Sequence, residues 1–380
     1  CRAQTADLHP WAALWWERLM PIYDAIIVGA GVAGMAAASA LAKEGLRIAV
    51  IDKGSPDALK TGECLMADAL GIMTRLGLGE DFLAANHRSL QSYQVAWGQA
   101  PSYQRHLISS PTGTGWIVNR QCFDAMLLSH CRQHKVEMFW QTALQEIEKD
   151  SGGCWQLHLK GQLPICLCAR FVLDASGRVR AFTRQLGIKS RRLDKMVASS
   201  CHIHSVSELS ASIASIASDQ QGWWYYAKYT DTRGSLCYFS DGDLLLPGGP
   251  KTLLAQARKQ RLLAPLLTDA RPMNSTFKRC AAYSSALQSC TGDNWLAVGD
   301  AAASFDPLSS YGMTSALAGA FYASKALIRY FRGQPKYLQT YQQLMQQNFM
   351  TYLEKRHLEY EKVDGYNSLF WQRRQSGAAA

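Results

Sequence analysis

The sequence has no Cys-x-x-Cys pair. Its eleven cysteines are scattered, and the closest two, Cys166 and Cys168, have one residue between them. In a chain of 380 residues this spacing excludes a disulfide framework and a zinc site, so no metal is expected. Scattered reduced thiols fit a cytoplasmic protein. A long uninterrupted apolar run is also missing. Ala25 to Ala42 carries no charge, but three glycines break it and its first part reads as strand. A membrane span needs roughly 20 predominantly apolar residues, so none is expected. There are no repeats, no low-complexity linker and no basic stripe. The net charge is +10, yet the densest clusters, Arg191-Arg192 and Arg373-Arg374, are only pairs. Nucleic acid is therefore not an expected partner, and the charge reads as solvation and steering of a protein partner.

What is present is apolar bulk and one strong local pattern. The chain is 48% hydrophobic and 18% charged, enough for a large core and roughly two domains. Residues 1–19 match poorly with the rest of the chain and read as a leader or appended sequence, with Met20 as the natural start. The ending "SGAAA" is set aside with them. From Tyr23 the reading becomes definite. Ala25 to Val28 is an apolar strand, and Gly29, Gly31, Ala33 and Gly34 make a G-x-G-x-x-G loop. Met35 to Glu44 is an Ala-rich helix, and Arg47 to Ile51 is a second strand ending in Asp52 and Lys53. The first glycine permits the tight turn, the second lets backbone approach a pyrophosphate, and the third lets helix pack on strand. The helix N-terminus offers unpaired N–H groups to phosphate. Asp52, 18 residues beyond Gly34, stands where an acid accepts ribose hydroxyls.

That motif does not separate NAD from FAD. Two later segments bear on it: "FVLDASGRVR", Phe171 to Arg180, and "NWLAVGDAAASFDPLSSYGM", Asn294 to Met313. With the glycine loop they resemble the FAD-dependent monooxygenases and halogenases built on the para-hydroxybenzoate hydroxylase plan. The resemblance implies non-covalent FAD, with a thiol such as Cys64 the one weak candidate for attachment. It implies that Gly299 and Asp300 meet the ribityl chain, and that the loop from Pro307 through Gly312 to Met313 passes the flavin ring. It implies that Arg120, in "RQCFD", helps seat the flavin, and that "KTGECLM", with Glu63, lies near the ring.

The expected fold is α/β. A Rossmann-like FAD-binding domain is assembled from residues 20–86, 115–200 and 285–333. A β-sheet substrate domain comes from 87–114 and 201–284, and a C-terminal helical segment from 334–375. No second G-x-G-x-x-G occurs. The flavin is then reduced by NAD(P)H visiting an open site or by a partner flavin reductase, with O₂ as co-substrate.

"GWWYYAKY", Gly222 to Tyr229, is the remaining signal. On a strand Trp223 and Tyr225 point one way, Trp224 and Tyr226 the other. Either pair can wall a cavity for an aromatic ring, or the whole stretch can be buried strand. Tryptophan halogenases carry a similar aromatic segment. This chain departs from them where it matters: "SLQSYQVAWG" has no lysine, and Ser309 stands in the place of their catalytic glutamate. The segments "GECLMADALGIMTRLGL", "GWWYYA" and "FWQRR" instead resemble the LodB/GoxB/QhpG-like flavoproteins, which oxygenate a tryptophan in a precursor protein on the way to cysteine tryptophylquinone. The resemblance implies a precursor protein as substrate. Glu63, with Pro307 and Gly312 at the flavin edge, is the expected catalytic set. His106 and Asp306 are further candidates for a general base. A halogenase with relocated groups and a non-oxygenating FAD reductase or maturation chaperone are the alternatives.

Overall fold

Ile26, Ile27 and Val28 offer no polar face, and the strand Ile22–Val28 is correspondingly sandwiched in the first core. The computed structural model describes residues 22–61, 63–108, 110, 113–206, 212–245 and 247–375, without the side chain of Glu63. The leader-like segment 1–19 and the "SGAAA" ending lie outside the described residues.

Ile22–Val28 pairs in parallel with Ile48–Ile51 on one side and with Pro164–Asp174 on the other. Trp295–Ala297 continues the parallel array beyond Pro164–Asp174, and Glu137–Phe139 beyond Ile48–Ile51. Parallel strands carry their carboxyl ends to one edge. That edge here bears Gly29, Asp52, the turn after Asp174 and Gly299-Asp300. In open α/β sheets this is where ligands bind. Helix Val32–Lys43, buried along most of its length, packs against Gly312–Phe331 through small side chains.

Among the described residues the second sheet has eight strands. Its order runs Arg271–Pro272, Met196–His204, Arg233–Asp241, Gly222–Lys228, Ile213–Asp219, Ser92–Ala96, Tyr103–His106, with Lys278–Ala281 also pairing with Met196–His204. Met196–His204 crosses the expected division at residue 200. It lies wholly in the second sheet, because all nine of its residues pair with Arg233–Asp241. The two faces of this sheet bury different cores. Trp223, Tyr225, Cys237 and Phe239 share one face with Trp97, Tyr360 and Trp371. Trp224, Tyr226, Leu236 and Tyr238 are buried on the other, under helix Pro250–Ala257 and the leucines through Leu267.

The chain closes with the long helix Lys336–Glu361 and the short helix Leu369–Gln375. The short helix is bolted to the second sheet. Trp371 Nε1 donates to Asp219 O at 2.8 Å, Arg374 meets the buried Asp241 at 2.7 Å, and Arg373 meets Asp243 at 2.8 Å. The "FWQRR" ending thus packs on the face of the sheet that carries Trp223 and Tyr225.

Candidate active site

Three glycines divide the work of the first turn. Gly29 has φ +114°, a conformation that L side chains rarely adopt, and a Cβ there would sit 2.4 Å from Ala175 O. A Cβ on Gly34 would sit 1.9 Å from Gly29 O, so only glycine lets this helix rest on this turn. A Cβ on Gly31 would meet nothing within 4 Å. That open cradle faces a cavity between the two sheets. Asp52 secures the loop: its two carboxylate oxygens accept from Ala30 N and Gly54 N, each at 2.6 Å. Lys53, expected at the cofactor, is exposed and is not among the residues lining either cavity.

Two cavities meet at Lys60. The first, of about 410 Å³, lies between the sheets. The second, of about 360 Å³, runs past Ala30, Ser55 and Asp57 toward Arg132 and Trp140. Lys60 lines both, and its Nζ pairs with Asp124 at 2.6 Å. Arg120, buried, shares Asp124 at 3.3 Å.

The first cavity has two unlike walls. On the parallel-sheet side are Gly31 to Ala33, Arg120, Gly177, Arg178, Asp300, Gly312 and Met313. Helices Val32–Lys43 and Gly312–Phe331 both begin here, and neither has a capping side chain. Their first N–H groups are therefore available to phosphate or to an electron-rich carbonyl edge. Thr314 Oγ1, in the first turn of the second helix, is buried with no partner among the described residues. Asp300 forms an ion pair with Arg178, which also donates to Phe305 O at 3.1 Å. Asp174, fully buried, accepts from Ser176, Phe182 and Thr183 and organises this turn instead of facing the cavity. An open glycine cradle and two uncapped helix starts, with Lys60, Arg120 and Arg178 beside them, fit FAD.

The opposite wall is aromatic. Trp223 stacks on Phe239 with centroids 4.0 Å apart, and Tyr225 places its hydroxyl 3.1 Å from Cys64 Sγ. Burial pushes the Tyr225 and Tyr93 hydroxyls well above the usual tyrosine range, so both stay neutral. Ser200, Thr61 and Cys237 complete this side. Trp224 and Tyr226 do not reach the cavity. Their side chains alternate to the rear core, where Trp224 Nε1 donates to Asp219 at 2.8 Å.

The loop between the walls is held from behind. Asp306 is 1% exposed; it caps the turn at Leu308 N (3.0 Å) and pairs with Arg356 at 3.2 Å and Tyr360 Oη at 2.9 Å. Arg356 also meets Asp194 at 3.1 Å. Asp306 also lines the first cavity, with its carboxylate held by these partners. His106 is exposed on the outer strand, away from the cavity. The side chain of Glu63 lies outside the described residues; its backbone pairs with Val118. Pro307, Gly312 and Met313 line the cavity. Sequence reasoning did not single out Cys64 as a partner of the wall, nor Phe239, Ser200 or Arg178. Arg178 had a usable signal in the Gly177-Arg178 pair after the strand. The other three come from distant segments.

The chain matches the family described as an FAD binding domain over residues 22–354. It is 25% identical over 374 residues to LodB of Marinomonas mediterranea, named as an FAD-dependent oxidoreductase, covering 95% of this chain and 99% of that one. It is also 25% identical over 323 residues to a 1H-pyrrole-2-carbonyl-[peptidyl-carrier protein] brominase of Pseudoalteromonas luteoviolacea, covering 80% and 77%. Its fold is similar to that of the myxobacterial chondrochloren halogenase CndH, with a TM-score of 0.82 at 21% identity, covering 93% of this chain and 86% of that one. Among the described residues no helix is long and apolar enough to cross a membrane. With the family matched across both sheets and most of the long helix, the chain belongs to the FAD binding domain family and is an FAD-dependent oxidoreductase of the group that also holds halogenases.

Proposed function

We propose that the protein is an FAD-dependent monooxygenase that oxygenates the indole of a tryptophan side chain in a precursor polypeptide, during biogenesis of a tryptophylquinone cofactor. The observation that carries this reading is the shared cavity: Trp223, Tyr225 and Phe239 line it together with Gly31, Gly312 and Met313. Similarity to LodB along nearly its whole length supports it. When bound, FAD would supply oxygen activation, with electrons from NAD(P)H or a flavin reductase.

The residues of this chain do the rest. The glycine cradle, the two helix starts, Arg120 and the Asp300–Arg178 pair hold the cofactor. Trp223 and Phe239 present flat apolar surface to an aromatic ring, with contacts worth about 0.5–1.5 kcal/mol each beyond burial. Holding the ring in one orientation is itself a large share of catalysis. Asp306, through Arg356 and Tyr360, keeps the loop at Pro307 to Gly312 in place. The test is the intact mass of a quinone-enzyme precursor co-expressed with and without this protein. The expected result is an oxygen-sized increment on a tryptophan-bearing peptide, present only with the protein. An unchanged precursor would favour a non-oxygenating reductase or chaperone.

A second reading is halogenation, supported by similarity to the brominase. The cavity argues against it. Lys60 is the sole lysine among the described residues lining the first cavity, and it is engaged with Asp124. Ser309 Oγ donates to Asp306 O at 2.7 Å. A halide-dependent mass shift on an aromatic substrate would establish this reading instead.

A further inference from the structure

One stripe of the long helix Lys336–Glu361 is given over to a single residue of the cavity wall. Tyr352, Arg356 and Tyr360 stand four residues apart and share one face of that helix. All three hold Asp306. Its backbone N donates to Tyr352 Oη at 2.7 Å, and its carboxylate accepts from Arg356 Nε at 3.2 Å and from Tyr360 Oη at 2.9 Å. Leu308 N is the remaining donor, at 3.0 Å. Asp194 shares Arg356 and is held in the same manner. It accepts from the guanidinium at 3.1 Å, from Met196 N at 2.9 Å and from Ser284 N at 3.2 Å. A carboxyl group met only by donors is kept in its charged form.

Two carboxylates therefore divide one guanidinium. The next buried cation, Arg374, does not restore neutrality, because it pairs with the buried Asp241 at 2.7 Å. Three carboxylates, Asp194, Asp241 and Asp306, against two guanidiniums, Arg356 and Arg374, leave one negative charge. Burial pushes the Tyr352 and Tyr360 hydroxyls up, so both are neutral. Arg178 and Asp300 cancel as a pair. Arg192, Lys195, Arg373 and Asp243 reach solvent, where water and salt screen them. Asp306 itself lines the first cavity, as do Pro307, Ser310 and Gly312 of the loop that follows it.

We infer that Asp194, Arg356 and Asp306 form a redox-tuning element, whose one uncompensated negative charge behind the loop lowers the reduction potential of the flavin. Reduction adds negative charge to the ring system, and a fixed negative charge in a weakly screened interior opposes it. A lower potential makes the reduced cofactor a stronger donor of electrons to O₂. The field acts through space, so none of the three residues has to touch the cofactor. The inference rests on the placement of FAD and not on the substrate; the precursor mass experiment tests the substrate reading by itself.

The test is the midpoint potential of the flavin-loaded protein, from anaerobic reductive titration against a reference dye at about pH 8, well above the carboxylate range. Asp306→Asn removes the surplus charge. It is expected to shift the reduction equilibrium about tenfold toward reduced flavin, about 30 mV upward for two electrons. Arg356→Leu removes the cation and should move the potential downward. Arg356→Lys keeps the charge and should stay near the wild-type value. Opposite signs separate a field from mere loosening of the loop, which Asp306→Asn and Arg356→Leu have in common. An unchanged or lowered potential in Asp306→Asn overturns the inference, as does a raised one in Arg356→Leu. If either of these proteins fails to fold or to hold flavin, Asp194→Asn decides: it leaves the loop's own contacts in place, a raised potential supports the inference, and an unchanged or lowered one overturns it.

Discussion

Gly31 and Gly34 sit three residues apart in one loop, and the structure assigns them opposite tolerances. At Gly34 even one methyl group is too much. Its Cβ would stand 1.9 Å from Gly29 O, and real Cβ contacts essentially never fall below 3.0 Å. The obstructing atom is backbone, so helix and turn must part by an ångström or more. Overpacking costs about 1–3 kcal/mol, and a clash that backbone must relieve belongs at the top of that range. The gain in helix propensity from Gly to Ala, about 1 kcal/mol, offsets only part of it. At Gly31 the backbone has φ −78° and ψ −175°, comfortable for any L residue, and a Cβ meets nothing within 4 Å. Even valine there should cost the flavin-free protein only about 1 kcal/mol, the loss of a good N-cap residue. What valine fills is the cradle for the pyrophosphate. The assay is urea unfolding of flavin-free protein, so that cofactor binding does not add to stability, together with flavin content from visible absorbance. Gly31→Val is expected to remain folded and to lose its flavin. Gly34→Ala, the smaller change, is expected to lose about 2 kcal/mol or more before any cofactor is added. A yellow Gly31→Val protein with full flavin, or a flavin-free Gly34→Ala protein as stable as wild type, would refute the placement of the cofactor.

Three further outcomes are expected. Acid precipitation should leave the flavin in the supernatant; yellow pellet with Cys64 modified would show a covalent link. Trp224→Ala should destabilise by about 3–5 kcal/mol, as for any large buried aromatic, while the flavin spectrum of the folded fraction stays unchanged; a spectral shift matching that of Trp223→Ala would reverse the assignment of faces. Brief iodoacetamide treatment at about pH 8, near the ordinary thiol range, followed by peptide mass mapping, should label the exposed Cys122 but not Cys131, Cys201 or Cys290. Burial pushes those three thiols up to about 12, so they remain protonated and unreactive at that pH; labelling of all four at similar rates would contradict their burial.

The legible parts of this protein were the local ones. Gly29, Gly31 and Gly34 announce a turn, a helix start and a close packing contact within six residues, and each role is confined to that span. The α/β class followed from the same stretch, because a strand, a tight loop and a helix leave few alternatives. The aromatic strand was legible as a strand but not by face. Period-two alternation gives two sets of side chains and no phase. The phase is set by residues far along the chain: Leu253 to Leu267 cover Trp224 and Tyr226, leaving Trp223 and Tyr225 to the cavity. Asp306 shows the same limit. Beside a flavin loop it reads as a candidate base, and only Arg356, fifty residues later, reveals a structural ion pair. Cys64 and Tyr225 are 161 residues apart. No pattern in one sequence marks such a pair, since neither residue type is unusual where it stands.

The bolted helix near the end of the chain also sets a timetable for synthesis. Trp371 packs edge-on against Trp97, at 5.5 Å between ring centroids, on the face of the sheet that carries Trp223. At elongation rates of about 5–20 residues per second, the ribosome needs roughly 7–30 s to travel from Trp223 to Trp371. Throughout that interval the inner face of the second sheet lacks its last cover. The pocket wall is therefore finished well after the glycine loop and its helix have left the exit tunnel. A nascent chain stalled before residue 369 would expose Trp97 and its neighbours to chaperones, so quality control of this enzyme should be sensitive to translation through Leu369–Gln375.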